Sequence, residues 1–282
     1  MKCIHHTRWL LVSFPLFFPA IAASADWSSN SVSYRYGNHF TEPGNKKEIG
    51  KHILQFTHTN GYAYGQHFLN VDALLSDKND PANNSNSGAQ EVYIIYNHQL
   101  SLSKTTGYDF SFGPIKDVAI LTGFDLNTKN TAFAPRARKI IAGTTFKFDV
   151  PKGFLDFSVL YYKEWNHNGI NTARDHDLNF DSTYRLALNW SLPLPFETIP
   201  VSFDGFLNHT GKKGKDGFGI QTKAETQTDM FLMVDMGQIL FSTPQTFKIG
   251  PGYQYWHNKF GGSAPSEGTK TSTAMIKATY IF

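Results

Sequence analysis

Thr273-Ala-Met-Ile-Lys-Ala-Thr-Tyr-Ile-Phe282 is the stretch on which the reading of this chain turns. Counted back in twos from the C-terminus, Phe282, Tyr280, Ala278, Ile276 and Ala274 form an apolar set, with Ile281, Thr279, Lys277, Met275 and Thr273 between them. Successive side chains of a strand point to opposite faces, so this is a strand with one apolar face. Taken alone it fits a strand of a membrane barrel better than its alternative, a half-buried strand of a soluble sandwich. The other end of the chain separates the two.

Lys2 and Arg8 flank a short basic start, Trp9 to Ile21 is apolar, and Ala22-Ala-Ser-Ala25 precedes Asp26. These are the n-region, h-region and A-x-A site of a secretory signal peptide, residues 1–25, with cleavage expected after Ala25. A membrane-spanning helix would need about 20 apolar residues; this run is shorter and holds Pro15 and Pro19. The single cysteine, Cys3, lies in the n-region, so neither a lipid anchor nor a disulfide is expected in the mature chain. Loss of Lys2 and Arg8 lowers the basic count from 26 to 24 against 23 acids, which gives no basis for a nucleic-acid partner. Aromatic residues make up 15% of the chain, with 24 Phe and 13 Tyr, a content suited to a barrel whose lipid-facing band carries aromatic girdles. About 257 residues remain after processing, one domain over 26–282. At roughly 20 residues per strand with its share of loop, that length predicts about twelve strands.

A terminal aromatic preceded by another two positions back resembles the closing strand of bacterial outer-membrane β-barrels. That resemblance implies that Tyr280 and Phe282 are an assembly signal for the barrel-assembly machinery. The period of two recurs along the chain. Val32, Tyr34 and Tyr36 alternate with Ser31, Ser33 and Arg35 in a segment from Trp27 to Phe40; Leu54 and Phe56 alternate with Ile53, Gln55 and Thr57. Thr59-Asn60-Gly61 reads as a tight hairpin. Beyond it, Leu69, Val71, Ala73 and Leu75 face outward against Phe68, Asn70, Asp72 and Leu74, and Val92, Ile94 and Tyr96 against Glu91, Tyr93, Ile95 and Asn97. Asp77 to Gly88 has the composition of a long exposed loop.

Tyr34-Arg-Tyr-Gly37, Phe56-Thr-His-Thr-Asn-Gly-Tyr-Ala-Tyr-Gly65, Phe68-Leu-Asn-Val-Asp72, Ser87-Gly-Ala-Gln-Glu-Val-Tyr93 and Asp229-Met-Phe-Leu-Met-Val-Asp-Met-Gly237 are similar to segments of the Tsx-like family of nucleoside-specific outer-membrane channels. The resemblance implies a monomeric, transmembrane antiparallel up-and-down β-barrel of about twelve strands. It also implies a narrow lumen that binds and passes nucleosides, and in some members a role as phage receptor.

The middle of the chain continues the pattern. Lys116 to Phe124 reads as a strand and Asn127 to Pro135 as a polar loop, leading to Arg136, Arg138 and Lys139 on a rim that meets the anionic outer leaflet. Leu155, Phe157, Val159 and Tyr161 alternate with Asp156, Ser158, Leu160, Tyr162 and Glu164, and Tyr184, Leu186, Leu188 and Trp190 with Thr183, Arg185, Ala187 and Asn189. An arginine is costly in lipid, so Arg185 is expected to point inward, opposite carboxylates. Asp204, Phe206, Asp229, Phe231, Lys248 and Trp256 fall on inward positions of the later strands, and Thr210 to Gly217 reads as a basic exposed loop.

The candidate solute-binding set is therefore Arg35, Phe68, Asn70, Asp72, Glu91, Tyr93, Tyr162, Glu164, Arg185, Asp204, Phe206, Asp229, Phe231 and Trp256, facing a water-filled lumen. Aromatic rings there offer stacking surfaces, worth about 1–3 kcal/mol per base in single-strand binding. Acids and bases nearly balance, which disfavours strong ion selectivity. The alternatives are a general small-solute porin and a receptor barrel whose lumen is packed shut. Outer leaflet lipid is the expected surrounding, and no metal or cofactor is expected. No H-E-x-x-H, G-x-S-x-G or cysteine cluster accompanies the scattered serines and histidines, so no enzyme is expected.

Overall fold

A computed structural model describes residues 25–196, 198–262 and 267–282. The signal peptide assigned above, except Ala25, lies outside the described residues. Thirteen strands follow: β1 (Trp27–Phe40), β2 (Ile49–Tyr62), β3 (Gly65–Ser76), β4 (Gln90–Ser101), β5 (Ile115–Lys129), β6 (Arg138–Phe148), β7 (Phe154–His167), β8 (Asp177–Asn179), β9 (Thr183–Pro193), β10 (Val201–Thr210), β11 (Glu225–Asp235), β12 (Phe247–His257) and β13 (Lys270–Ile281). Short helices α1 (Leu102–Thr106) and α2 (Met236–Phe241) cross between strands.

Each strand pairs antiparallel with its chain neighbours, except that β7 pairs with β9 and three-residue β8 only extends the end of β7. The first and last strands join, Ser31 opposite Ile281 and Tyr36 opposite Ile276, and β6 joins β7. Twelve strands thus close into a barrel with no free edge, so the ladder satisfies backbone groups that lipid could not. Closure by the terminal strand is completed by Phe282, whose amide donates to the Asn30 carbonyl at 2.9 Å.

Every one of the twelve carries at least one exposed large apolar side chain on the outer wall, among them Val32, Leu54, Leu75, Val92, Ile120, Ile140, Val159, Tyr184, Leu207, Leu232, Tyr253 and Ile276. A water-soluble protein rarely exposes a continuous apolar band of this kind. No helix among the described residues is long and apolar enough to cross a bilayer; the strands do so. The protein is a barrel of the bacterial outer membrane. Both termini of the barrel lie at one end, together with the two-residue turn Ala63–Tyr64 and α2, and the longer connections 77–89, 168–182 and 211–224 lie at the other. Short turns mark the periplasmic end and long loops the extracellular end.

Boundaries differ from expectation in two places. Asn60 and Gly61 are not the turn: β2 runs on to Tyr62, with Gly61 paired to Trp27 and Gln66, and glycine there leaves room for the Trp27 indole, whose Nε1 a Cβ would meet at 2.2 Å. Likewise β5 continues to Lys129, five residues past the expected strand end at Phe124, since Asp125, Asn127 and Lys129 find polar partners inside the barrel.

Candidate functional site

Alternation alone decides which side chains enter the lumen, and every inward position named above does so in the paired register. Arg35 Nη2 lies 2.6 Å from Asp72 Oδ2 and its Nη1 3.1 Å from Asp229 Oδ2. Asp72 also accepts from Gln55 and Asn70, each at 2.9 Å, and Asn70 accepts from Thr57 at 2.9 Å. Gln254 donates to Asp229 at 2.8 Å. Strands β1, β2, β3, β11 and β12 are thereby cross-linked through one guanidinium.

A second group spans β4 to β9. Tyr93 donates to Asp125 at 2.9 Å and accepts from Lys139 at 2.8 Å, with the ammonium 5.1 Å from the ring centre. The Arg185 guanidinium stacks 4.4 Å from Tyr162, lies 3.8 Å from Asp125 and donates to Thr210 at 3.1 Å. Arg185 thus faces a carboxylate, as its cost in lipid demanded. Tyr162 donates to Glu164 at 2.7 Å, and Glu164 is paired with Lys213. Toward the periplasm, Lys147 bridges Asp156 at 3.1 Å and Gln99 at 2.6 Å.

The remaining expected residues are dispersed. Asp204 accepts from Ser191 at 2.7 Å and Ser202 at 3.0 Å. Glu91 accepts from Asn127. Trp256 donates to Glu225 at 2.7 Å. Phe68 and Phe206 are half-buried inward residues of β3 and β10. Asp235, also inward, is taken up by the turn that follows it, accepting from the amides of Gln238 and Gln245. Tyr280 and Phe282 stand on the outer wall, rings 6.1 Å apart.

The expectation of a water-filled tube is corrected. Phe231, Ile53, Met233 and Met275 form one apolar cluster inside the barrel with Phe40 and Ile49, and Leu121, Ile141, Leu160, Tyr162 and Ala187 form another. Tyr162 is 1% exposed and Arg35 6%. Small barrels fill their interior with side chains, and here that filling is part ionic and part apolar. A cavity of about 630 Å³ opens at the extracellular rim, lined by Glu91, Lys129, Asn130, Arg136 and His167 among others; a smaller one of about 80 Å³ lies at the periplasmic end beside Gln66, Gln99 and Lys147.

Residues the sequence reading placed in solvent close the extracellular mouth. Lys213, assigned to an exposed basic loop, is 2% exposed and paired with Glu164; Asp80, from the supposed exposed loop 77–88, is 4% exposed and 2.8 Å from Lys129. Lys139 turns inward and only Arg136 and Arg138 stay exposed, so the rim cluster is divided between lumen and surface. Glu42 receives three ammonium groups, Lys51 at 2.5 Å, Lys129 at 3.1 Å and Lys259 at 3.3 Å. Burial pushes the Glu42 carboxyl up, yet the three lysines outweigh it and hold it well below its usual range. Burial, with Lys51 and Lys129 adding to it against the pull of Glu42, lowers Lys259 to about 8.

On the outer wall, His58 pairs with Asn30 at 2.8 Å, and His209 Nδ1 lies 2.9 Å from Thr226 Oγ1. Neither pair forms the nucleophile, base and orienting group that acyl transfer needs.

No family model matches the chain, and no curated protein matches it. Among solved structures the barrel is similar to the KdgM porin, at 10% identity over 89% of this chain and 99% of that one, TM-score 0.46. It is similar also to the NanC porin, at 11% identity over 90% and 98%, TM-score 0.45. An outer membrane channel from Pseudomonas putida F1 matches at 11% identity over 96% and 100%, TM-score 0.45. These likenesses concern overall form, and none bears on which solute passes.

Proposed function

We propose that this barrel is a non-enzymatic outer-membrane channel for small polar solutes, and that nucleosides are the solutes it selects. The observation that carries the reading is the Tyr93, Lys139, Asp125, Arg185, Tyr162 and Glu164 group inside the barrel. Taking ions out of water costs several kcal/mol each, and an apolar filling would serve a purely structural barrel as well or better. Retaining them in a chain across the lumen suits a pathway whose polar groups exchange partners with a passing solute. A nucleobase has the flat face that Arg185 now offers Tyr162, and Asp125, Asn127 and Glu91 have acceptors and donors for ribose hydroxyls. The resemblance of segments such as Phe68–Asp72 to nucleoside channels selects this class over other polar solutes.

A second reading, a receptor barrel with a packed lumen, is favoured by the two apolar clusters inside the wall. Reconstitution into planar bilayers separates them. Steps of conductance blocked by adenosine and thymidine, but not by a sugar of similar size, are expected. Equal block by all three leaves a general pore, and absence of conductance from the protein and from variants with loop 211–224 shortened leaves the receptor.

A further inference from the structure

Two connections at the extracellular end insert a lysine into the lumen. Lys213, in the connection 211–224, places its ammonium against the Glu164 carboxylate and 4.4 Å from the centre of the Phe180 ring. Lys259, in the connection 258–269, donates to the Thr41 carbonyl at 2.7 Å, lies 3.3 Å from Glu42, and sits 4.7 Å and 5.3 Å from the rings of Trp256 and Phe260. Both lysines are about as buried as core residues, 2% and 3% exposed. The two connections touch, the Lys223 amide donating to the Gly261 carbonyl at 2.8 Å and Thr222 packing against Gly261.

An ammonium beside a carboxylate and over an aromatic face is how proteins hold organic cations. What differs between the sockets is what remains when the lysine leaves. Glu42 keeps Lys51 and Lys129. Glu164 keeps hydrogen bonds only from neutral donors, Tyr162 at 2.7 Å and Asn166 at 3.3 Å; Lys139 stands opposite it on β6, but that ammonium is engaged by Tyr93 at 2.8 Å and Asp125 at 3.9 Å, and a buried carboxylate with no cation in contact is strongly disfavoured. Opening at Lys213 therefore creates a demand for a replacement cation that opening at Lys259 does not.

We propose that Lys213 is a tethered ammonium that latches the extracellular mouth, and that the Glu164–Phe180 socket it fills binds the ammonium group of a primary alkylammonium solute when the connection 211–224 swings out. The inference rests on the channel reading above and names a solute class for its entrance. A cation arriving at the mouth competes with Lys213, opens the latch and is held by the same groups.

The test uses the full-length protein in planar bilayers with n-butylammonium as probe. Lys213→Ala is expected to raise single-channel conductance several-fold, and millimolar n-butylammonium to bring it back toward the parent value, while n-butanol and butyrate leave it open. Lys213→Ala with Glu164→Gln is expected to be open and insensitive to the amine. Parent-like conductance of K213A overturns the latch, and amine-insensitive opening of K213A overturns the socket. Heat-modifiable gel mobility verifies folding, and Lys213→Gln, which keeps a donor toward Glu164, replaces K213A should that variant not fold. Silence of the parent and of every variant, the double variant included, points instead to failure of the channel reading.

Discussion

Arg35 and Asp229 are 194 residues apart in the chain and 3.1 Å apart across the lumen. Strands β12 and β13 separate theirs in the wall, so the pair spans the interior instead of stitching neighbours, and Asp72 completes it from the other side at 2.6 Å. Arg35→Met leaves buried Asp229 and half-buried Asp72 without the cation that contacts them, Lys277 being the nearest remaining ammonium, and breaking comparable buried pairs costs about 3–5 kcal/mol. A lower urea midpoint in detergent is expected. The triple variant R35M/D72N/D229N removes the uncompensated charge and is expected to recover most of the loss. Equal midpoints for the single variant and the parent would show that water reaches the two carboxylates and the interior is open there.

The mouth is expected to respond to pH through Glu42. Its carboxyl is held well below the usual value of 4.5, so the closed arrangement gains stability that is fully present above that pH and is lost as pH falls through the depressed value. Lys259 works in the opposite range. Its closed value near 8 lies below the usual 10.5, so closure bears a penalty below about pH 8 that is relieved as pH rises between the two. Both slopes have the same sign, and open probability in bilayers should increase on acidification below about 4.5. In Glu42→Gln, Lys51, Lys129 and Lys259 lose their common partner; this variant should be open already at neutral pH and lack the acid response. A parent channel whose open probability is flat from neutral to acid pH removes Glu42 from the closure.

How much of this was legible in the sequence differs between wall and mouth. Period-two alternation placed Arg35, Asp72, Tyr162, Arg185 and Asp229 inside, because a strand's facing follows from local geometry and an arginine in lipid is excluded. It said nothing of which inward residues meet, since Arg35 and Asp229 are brought together by closure and by the stagger of the whole sheet. The mouth was misread for another reason. Glycine and lysine in Thr210-Gly-Lys-Lys-Gly-Lys-Asp-Gly217 have the composition of a solvated loop, and only the tertiary fold supplies Glu164 and Phe180 as partners for Lys213. Lys259 left a trace: it lies between Trp256 and Phe260, aromatic neighbours that suit a buried ammonium better than a surface one.

Phe282 contributes to closure through its backbone, not its ring. The amide and carbonyl pair with Asn30 at 2.9 and 3.2 Å, while the side chain is 63% exposed to the bilayer side. Phe282→Ala keeps those hydrogen bonds and loses at most a few kcal/mol of burial in lipid. Formed barrels of F282A should therefore retain near-parental resistance to urea, while their surface level falls and unassembled chains accumulate in the periplasm. Normal surface levels of F282A would remove the terminal aromatic as an assembly signal.

Tyr162 is the residue on which nucleoside selection is best tested. Its ring holds the Arg185 guanidinium at 4.4 Å, and its hydroxyl donates to Glu164 at 2.7 Å. A nucleobase displacing Arg185 gains the same face, and stacking of this kind is worth about 1–3 kcal/mol per base. Tyr162→Leu removes the ring and should weaken nucleoside block by about 5- to 150-fold. Conductance to a sugar, which has no flat face, should change little. Tyr162→Phe keeps the ring and loses only the hydroxyl, so block should stay near the parent's while Glu164 depends more on Lys213. The two variants also control for packing, since Leu121, Ile141 and Leu160 surround both replacements with apolar neighbours. Nucleoside block that is unchanged in Y162L, or lost equally in Y162F, rules out the ring as the stacking surface.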